Sequence, residues 1–163
     1  MRVSISPGKA RLLSLLIGAD ALILDRVHKF FQIEIQGWNG GEFVPVTPFF
    51  NYVLVWNRGV SYSLLTGVPQ ALIYLVIGMA AALLALWWWR AKTFLTLLGL
   101  SFCLFGAASN FLDRLMYGAV ADFFHLHWGT WSFYVFNVAD MGITLGAILL
   151  VWDMLFARPE TKA

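Results

Sequence analysis

The sequence predicts a mainly α, polytopic membrane protein: four transmembrane helices with a small antiparallel β-sheet on the outer side. Two compositional facts and one pattern carry this. Hydrophobic residues make up 60% of the 163 residues and charged ones only 12%, whereas soluble domains are about a quarter charged. Mean hydropathy is +0.74. The apolar residues gather into four long runs, and helices are the default because lipid satisfies no exposed backbone group. One membrane domain over residues 1–163 is expected.

The first span is placed at about 11–31. Arg2, Lys9 and Arg11 precede LLSLLIGADALIL, which has the form of a secretory signal, and Ala19-Asp20-Ala21 mimics a cleavage site. An acid inside that site, and three further spans, argue for an uncleaved helix. Asp20 then lies near mid-membrane, paired with a neighbouring helix or turned to the interior. Asp25 and Lys29 stand at i, i+4 near the far end, a pairing that supports a helix even when exposed.

Residues 32–66 break the helical pattern. Ile33-Glu34-Ile35-Gln36 alternates, Asn39-Gly40-Gly41 is turn chemistry, and Phe43–Val46 and Tyr52–Val55 are β-rich. A small sheet lying on the bilayer surface is expected here, with Trp38 and Trp56 as interfacial aromatics. It ends in WNRGVSYSLL, where Asn57 offers donor and acceptor and Gly59 allows a tight backbone.

The second span, about 69–89, closes on Trp87-Trp88-Trp89-Arg90, an interfacial anchor. Span three covers about 94–114 and span four about 135–156, with an extramembrane stretch between them. Gly142 and Gly146 form a GxxxG spacing that suits close helix approach. Cys103 is the only cysteine, sits mid-span and reads as packing, so a cysteine-based zinc site is excluded.

Orientation follows from Lys and Arg. Arg2, Lys9, Arg11, Arg90, Lys92, Arg158 and Lys162 fall on one side, against Arg26, Lys29, Arg58 and Arg114 on the other. Seven against four places both termini in the cytoplasm. A net charge of +2 without a basic run gives no reason to expect nucleic acid.

The chemistry concentrates between Gly106 and Gly146, which holds Asn110, Asp113, Arg114, Asp122, Asn137 and Asp140. Ionisable groups are costly at membrane depth and mark pathways or reactive sites. Asn110, Asp113 and Arg114 share one helical face by spacing, as do Asn137, Asp140 and Thr144. The two helices are antiparallel, so both faces meet at one depth, and Asp122 in VADFFHLH can fold back onto it. Carboxylates brought together in low dielectric share a proton, which allows one to activate water while the other protonates a carbonyl oxygen. A rival set is a metal held by Asp122, His125 and His127, the two histidines lying on one side at strand spacing.

At these residues the chain resembles the lipoprotein signal peptidase (signal peptidase II) family. LDRVHK resembles its Asp-x-x-x-Lys element, NRGVSYSLL its Asn-x-Gly motif, and SNFLDR its Gly-Asn-x-x-Asp-Arg motif. VADFF matches Val-x-Asp-Phe, and FNVAD matches Phe-Asn-x-Ala-Asp. The resemblance implies an aspartic endopeptidase of the bacterial inner membrane with its site facing the periplasm. It would remove signal peptides from prolipoproteins, cutting on the N-terminal side of a diacylglyceryl-modified cysteine. The catalytic pair it implies is Asp122 and Asp140. Asn57, Gly59, Asn110, Arg114 and Asn137 would shape the pocket, Asp25 and Lys29 would support it, and Asp113 would be structural. The residues alone do not choose Asp122 over Asp113. No cofactor or metal is expected, and a monomer in contact with membrane lipid is.

The chain departs from the family pattern in places. Phe105-Gly106-Ala107-Ala108-Ser109-Asn110 stands where the family has Gly-Gly-x-x-Gly-Asn, and Arg58, Ser61 and Tyr62 replace commoner small or phenyl residues. The alternative reading is a catalytically inactive relative acting as a membrane binding or assembly protein. Such a relative would be expected to have lost one of the motif carboxylates, and this chain keeps both.

Overall fold

The computed structural model describes residues 6–58 and 70–156. In chain order these form α1 (Pro7–Phe30), a single π turn (Phe31–Ile35), β1 (Phe43–Thr47), β2 (Phe50–Asn57), α2 (Gln70–Arg90), α3 (Phe94–Tyr117), β3 (Val120–Trp128), β4 (Trp131–Phe136) and α4 (Val138–Phe156). The architecture is mainly helical, with one antiparallel sheet in the order β1-β2-β3-β4. Gly59, Ser61 and Tyr62 lie outside the described residues.

Local chemistry sets the helix ends. Pro7 opens α1, where its missing N–H costs nothing. Thr93 caps α3 by accepting from the Thr96 N–H at 3.1 Å. Gly118 ends α3 at φ 70°, in the left-handed region, and its N–H donates to Arg114 O.

Among the described residues three helices are long and apolar enough to cross a membrane: Ala71–Arg90, Phe94–Tyr117 and Val138–Phe156. α1 has a crossing length of 24 residues but carries Asp20, Asp25, Arg26 and Lys29 in its second half. It packs against α3 and α4, while α2 packs against α3. α3 therefore touches every other helix.

Glycines set how close the helices come. A Cβ on Gly146 would lie 2.5 Å from Gly99 O, and one on Gly106 would lie 2.7 Å from Ala139 O, so α3 and α4 meet backbone to backbone. A Cβ on Gly142 would lie 2.6 Å from the Ala21 Cβ of α1. The two glycines of the GxxxG spacing thus serve different neighbours, Gly142 facing α1 and Gly146 facing α3. Cys103 is buried in the same contact, against Gly146.

Polar contacts lock the end of the bundle away from the sheet. Trp88 donates from Nε1 to Ser101 Oγ at 3.1 Å and Ser14 Oγ at 3.3 Å, joining α2, α3 and α1. Of the three adjacent tryptophans it is the one turned inward; Trp87 and Trp89 are exposed. Arg11 donates to Trp89 O at 2.8 Å. Asp153 of α4 accepts from the hydroxyls of Thr93 and Thr96 at the start of α3.

The sheet corrects one expectation. Ile33-Glu34-Ile35-Gln36 is not a strand; α1 runs on into the π turn, closed by Gln36 N donating to Phe31 O at 2.9 Å. Among the described residues no strand pairs with this alternating stretch, and the turn packs Ile33 against the buried cluster of Leu54, Ala121 and Phe123. The partners of the β1–β2 hairpin come from beyond the expected 32–66 region: β3 pairs with β2 from Phe50↔Leu126 to Asn57↔Val120, and β4 pairs with β3. Gly129, at φ 57°, makes the tight β3–β4 turn. Trp38 and Trp56 flank that cluster too, and His28 of α1 bonds the Tyr52 hydroxyl at 2.6 Å, fixing the sheet to the helices.

Close helix approach makes a direct prediction. Gly146→Val should destabilise the protein by about 1–3 kcal/mol through overpacking, whereas Gly78→Val, with nothing within 4 Å of its added Cβ, should be nearly neutral. Thermal unfolding of the two variants in detergent is the comparison, and equal melting would contradict the backbone contact.

Candidate active site

The site is built where the C-terminal half of α3, the start of α4 and the β2–β3 pair converge. Asn137 is the N-cap of α4. Its Oδ1 accepts from the Asp140 N–H at 2.9 Å, and Asp140 Oδ2 accepts from the Asn137 N–H at 3.1 Å, a reciprocal cap. The helix start therefore fixes the Asp140 carboxyl before any tertiary contact is made.

The Asn137 side-chain amide faces the other way. Its Nδ2 donates to Asp122 Oδ1 at 2.6 Å and to Asn110 Oδ1 at 3.0 Å. Asn110 in turn donates to Asp140 Oδ1 at 2.8 Å, and Asn57 donates to Asp122 Oδ2 at 3.1 Å. Each carboxyl accepts one bond at either oxygen, and Asn137 touches both acids. Asp122 and Asp140 line a single cavity of about 530 Å³ together with Asn57, Asn110, Arg114 and Thr144, and with an apolar wall that includes Ile77, Phe111 and Ile143.

Asp122 is buried at the β2–β3 pair, 2% exposed. Burial, with the Asp140 charge adding to it, pushes its pKa up to about 7, against the opposing pull of the Asn57 and Asn137 amides. It therefore keeps its proton close to neutrality.

Beneath the cavity lies a buried ion cluster. Lys29 Nζ sits 2.7 Å from Asp25 Oδ2 and 2.6 Å from Asp113 Oδ2, with side-chain exposures of 2%, 0% and 0%. Arg26 also bonds Asp113. The i, i+4 pair on α1 is thus a core interaction, far from an exposed helix support. Asp25 Oδ1 accepts the Ala139 N–H at 3.0 Å, and Asp113 Oδ2 accepts the Ala121 N–H at 3.1 Å. Ala139 immediately precedes Asp140, and Ala121 immediately precedes Asp122. Each lower acid holds the backbone one residue ahead of one upper acid.

Some sequence expectations are refined by this arrangement. The face shared by Asn110, Asp113 and Arg114 divides: Asn110 and Arg114 line the cavity, and Asp113 turns down to Lys29 and Arg26. Ser109, standing where the resemblance has glycine, is fully buried and donates to Asp25 Oδ2 at 2.7 Å. Its hydroxyl thus adds a bond as well as leaving space. The rival metal set of Asp122, His125 and His127 is not gathered at ligand spacing among the described residues. His125 and His127 do lie side by side, with ring centroids 5.4 Å apart, but His125 is bonded to Ser132 and Asn51. Among the described residues no three His, Cys, Asp or Glu side chains gather at ligand spacing. Asp20, expected to be paired or interior, is exposed on α1. Tyr74 was missed by sequence reasoning; its hydroxyl donates to Arg114 O at 3.0 Å and docks α2 beside the cavity. A lone tyrosine in an apolar span gives no local signal for that.

Long apolar helices enclosing a polar, carboxyl-lined cavity define the class: a multi-pass membrane protein with an enzyme-like site between its helices and its sheet. A family model described as signal peptidase (SPase) II matches residues 17–156, and the chain belongs to that family. A lipoprotein signal peptidase of Methylobacterium sp. (strain 4-46) is 40% identical over 155 residues, covering 93% of this chain and 94% of the relative. One of Methylorubrum extorquens (strain PA1) is 45% identical over 151 residues, covering 87% and 84%. A solved chain described as a bacterial membrane enzyme is similar across 100% of this chain and 99% of its own length, at 25% identity and a TM-score of 0.79.

The ion cluster yields the second prediction. Lys29→Met leaves Asp25 and Asp113 buried without their shared cation, so it should cost about 3–5 kcal/mol of stability. Thermal or denaturant unfolding measures the loss; a change under about 1 kcal/mol, the level of an exposed pair, would mean that the cluster does not hold the fold.

Proposed function

We propose that the protein is an aspartic endopeptidase that removes the signal peptide from diacylglyceryl-modified prolipoproteins, cutting on the N-terminal side of the lipidated cysteine. The observation that carries this is the placement of Asp122 and Asp140 on one cavity, bridged by Asn137. Family membership and relatives named lipoprotein signal peptidase support the substrate class. Retention of both carboxyls gives no support to an inactive binding or assembly relative.

In this mechanism Asp122 and Asp140 share one proton. The ionised member takes a proton from water, which attacks the scissile carbonyl carbon, while the protonated member donates to the carbonyl oxygen. The tetrahedral intermediate collapses as the leaving amide nitrogen receives a proton from the pair. Asn57, Asn110 and Asn137 hold the carboxyls in place, and Arg114 and Thr144 line the space for the substrate. Gly59 belongs to the same motif as Asn57 and is assigned to the pocket on that ground. The positive-inside bias supports cytoplasmic termini and a cavity on the periplasmic side. α1 completes the four spans, its Asp25, Arg26 and Lys29 bonded to groups of α3 and α4, while Lys9 and Asp20 are exposed.

Asp122→Asn and Asp140→Asn should each lower cleavage by at least about a hundredfold while leaving a folded protein, and chelators should have no effect. Chelator inhibition reversed by zinc would replace this reading with a metal mechanism. The pH profile supplies an independent check. The pKa of Asp122 is raised, so the shared proton is present below about 7 and is lost as pH rises through that value. Cleavage should therefore fall on the alkaline side with an apparent pKa near 7, and a rate unchanged to about pH 9 would contradict the shared proton.

Substrate choice follows from depth. Each buried methylene adds about 0.8 kcal/mol, so two acyl chains fix the cysteine far better than a bare side chain does, and remote binding positions the peptide for attack. A diacylglyceryl-cysteine precursor should be cut and its unlipidated Cys→Ser counterpart should not. Equal cleavage of both in detergent would leave only a general membrane peptidase.

A further inference from the structure

Thr144 stands apart from the other polar groups of the cavity. It follows Asp140 by four residues on α4, lines the same space and is exposed there. Asn57 and Asn110 are bonded to Asp122 and Asp140. The Thr144 hydroxyl makes no hydrogen bond within the protein among the described residues. Every other serine or threonine inside the described helices does. Ser14 and Ser101 return their hydroxyls to their own backbone, at Arg11 O (2.8 Å) and Leu97 O (2.9 Å). Ser109 bonds Asp25, and Thr96 bonds Asp153. Around Thr144 the cavity wall is apolar, formed by Ile77 of α2, Phe111 of α3 and Ile143 of α4.

Its depth says which part of a substrate meets it. A rise of 1.5 Å per residue puts Thr144 about 6 Å further along the crossing length of α4 than Asp140. An extended peptide covers that distance in about two residues. The signal peptide is the membrane-embedded part of the substrate. Residues on its side of the scissile bond therefore run from the carboxyls toward Thr144.

We propose that Thr144 is a specificity-determining residue, favouring a small hydroxyl side chain, serine, within the three residues that precede the cut. This rests on the peptidase reading above and adds a sequence preference to it. A peptide filling the cavity displaces water from Thr144 and must itself supply a hydrogen-bond partner, because an unsatisfied hydroxyl against an apolar wall is costly. Alanine supplies none. A serine hydroxyl both donates and accepts, as that of threonine does, so each satisfies the other; a peptide carbonyl only accepts. The surrounding Ile77, Phe111 and Ile143 offer apolar contact alone, so one polar point reads one substrate residue.

Diacylglyceryl-cysteine precursors with serine in place of alanine, at each of the three preceding residues in turn, test this through kcat/KM. At one of the three positions the serine precursor should be cut about three- to tenfold better than its alanine counterpart, the range of a single hydrogen bond. That gain should vanish in Thr144→Val, which keeps the branched shape without the hydroxyl, and persist in Thr144→Ser. Unchanged melting of both variants shows that the fold is intact. No gain at any position, or a gain that survives in Thr144→Val, would overturn the proposal. So would an equal loss on every precursor in Thr144→Val, the mark of a bond to peptide backbone. The peptidase reading fails separately: cleavage that persists in Asp122→Asn removes that mechanism, whereas a serine gain indifferent to Thr144 removes only the specificity role.

Discussion

The fold depends on a charge that the membrane would otherwise forbid. Lys29 is buried between Asp25 and Asp113, and Arg26 bonds the second acid from the side. Two cations against two carboxylates leave no net charge to bury, and the same carboxylates also take backbone N–H groups, Asp25 through Oδ1 at the start of α4 and Asp113 through the Oδ2 that binds Lys29 at the start of β3. Such a cluster is costly to break and weak as a net source of stability. What it supplies is position: α1, α3, α4 and the sheet are all tied to it, so a shift in any one of them would expose an uncompensated charge.

Position is what the upper acids need. Asp140 is fixed by its own helix cap, a contact within four residues. Asp122 sits on a strand whose neighbours are Val55 of β2 and, through the side chains, Asn57 and Asn137. The amides reach both carboxyls without adding charge, so burial and mutual repulsion still hold a proton near neutrality. Lys29 is held by Asp25 and Asp113, with Asn110 Oδ1 at 3.4 Å, so the lower acids are paired with a cation and the upper acids with amides.

Much of this was legible from residue order. The apolar runs located the helices within a few residues, since the cost of unsatisfied backbone in lipid leaves few alternatives. The i, i+3 and i, i+4 spacings placed Asn110 with Arg114 and Asp140 with Thr144, because helical geometry alone decides which side chains share a face. Motif resemblance separated Asp122 from Asp113, which spacing could not do. The GxxxG glycines were readable as a site of close approach, though not as serving two different helices.

What the sequence by itself determined, then, is the set of helices, the polar faces they carry and the family to which those residues belong. The alternation at Ile33–Gln36 misled because a strand needs a partner, and partners are chosen across the chain: beside β1, β2 took its second neighbour from residues some seventy positions later, leaving the end of α1 to finish as a π turn. The downward turn of Asp113, the burial of the Asp25–Lys29 pair and the hydroxyl of Ser109 bonded to Asp25 were likewise decided only by tertiary structure. Each depends on which charged group from a distant helix arrives at the same depth, and local periodicity carries no information about that.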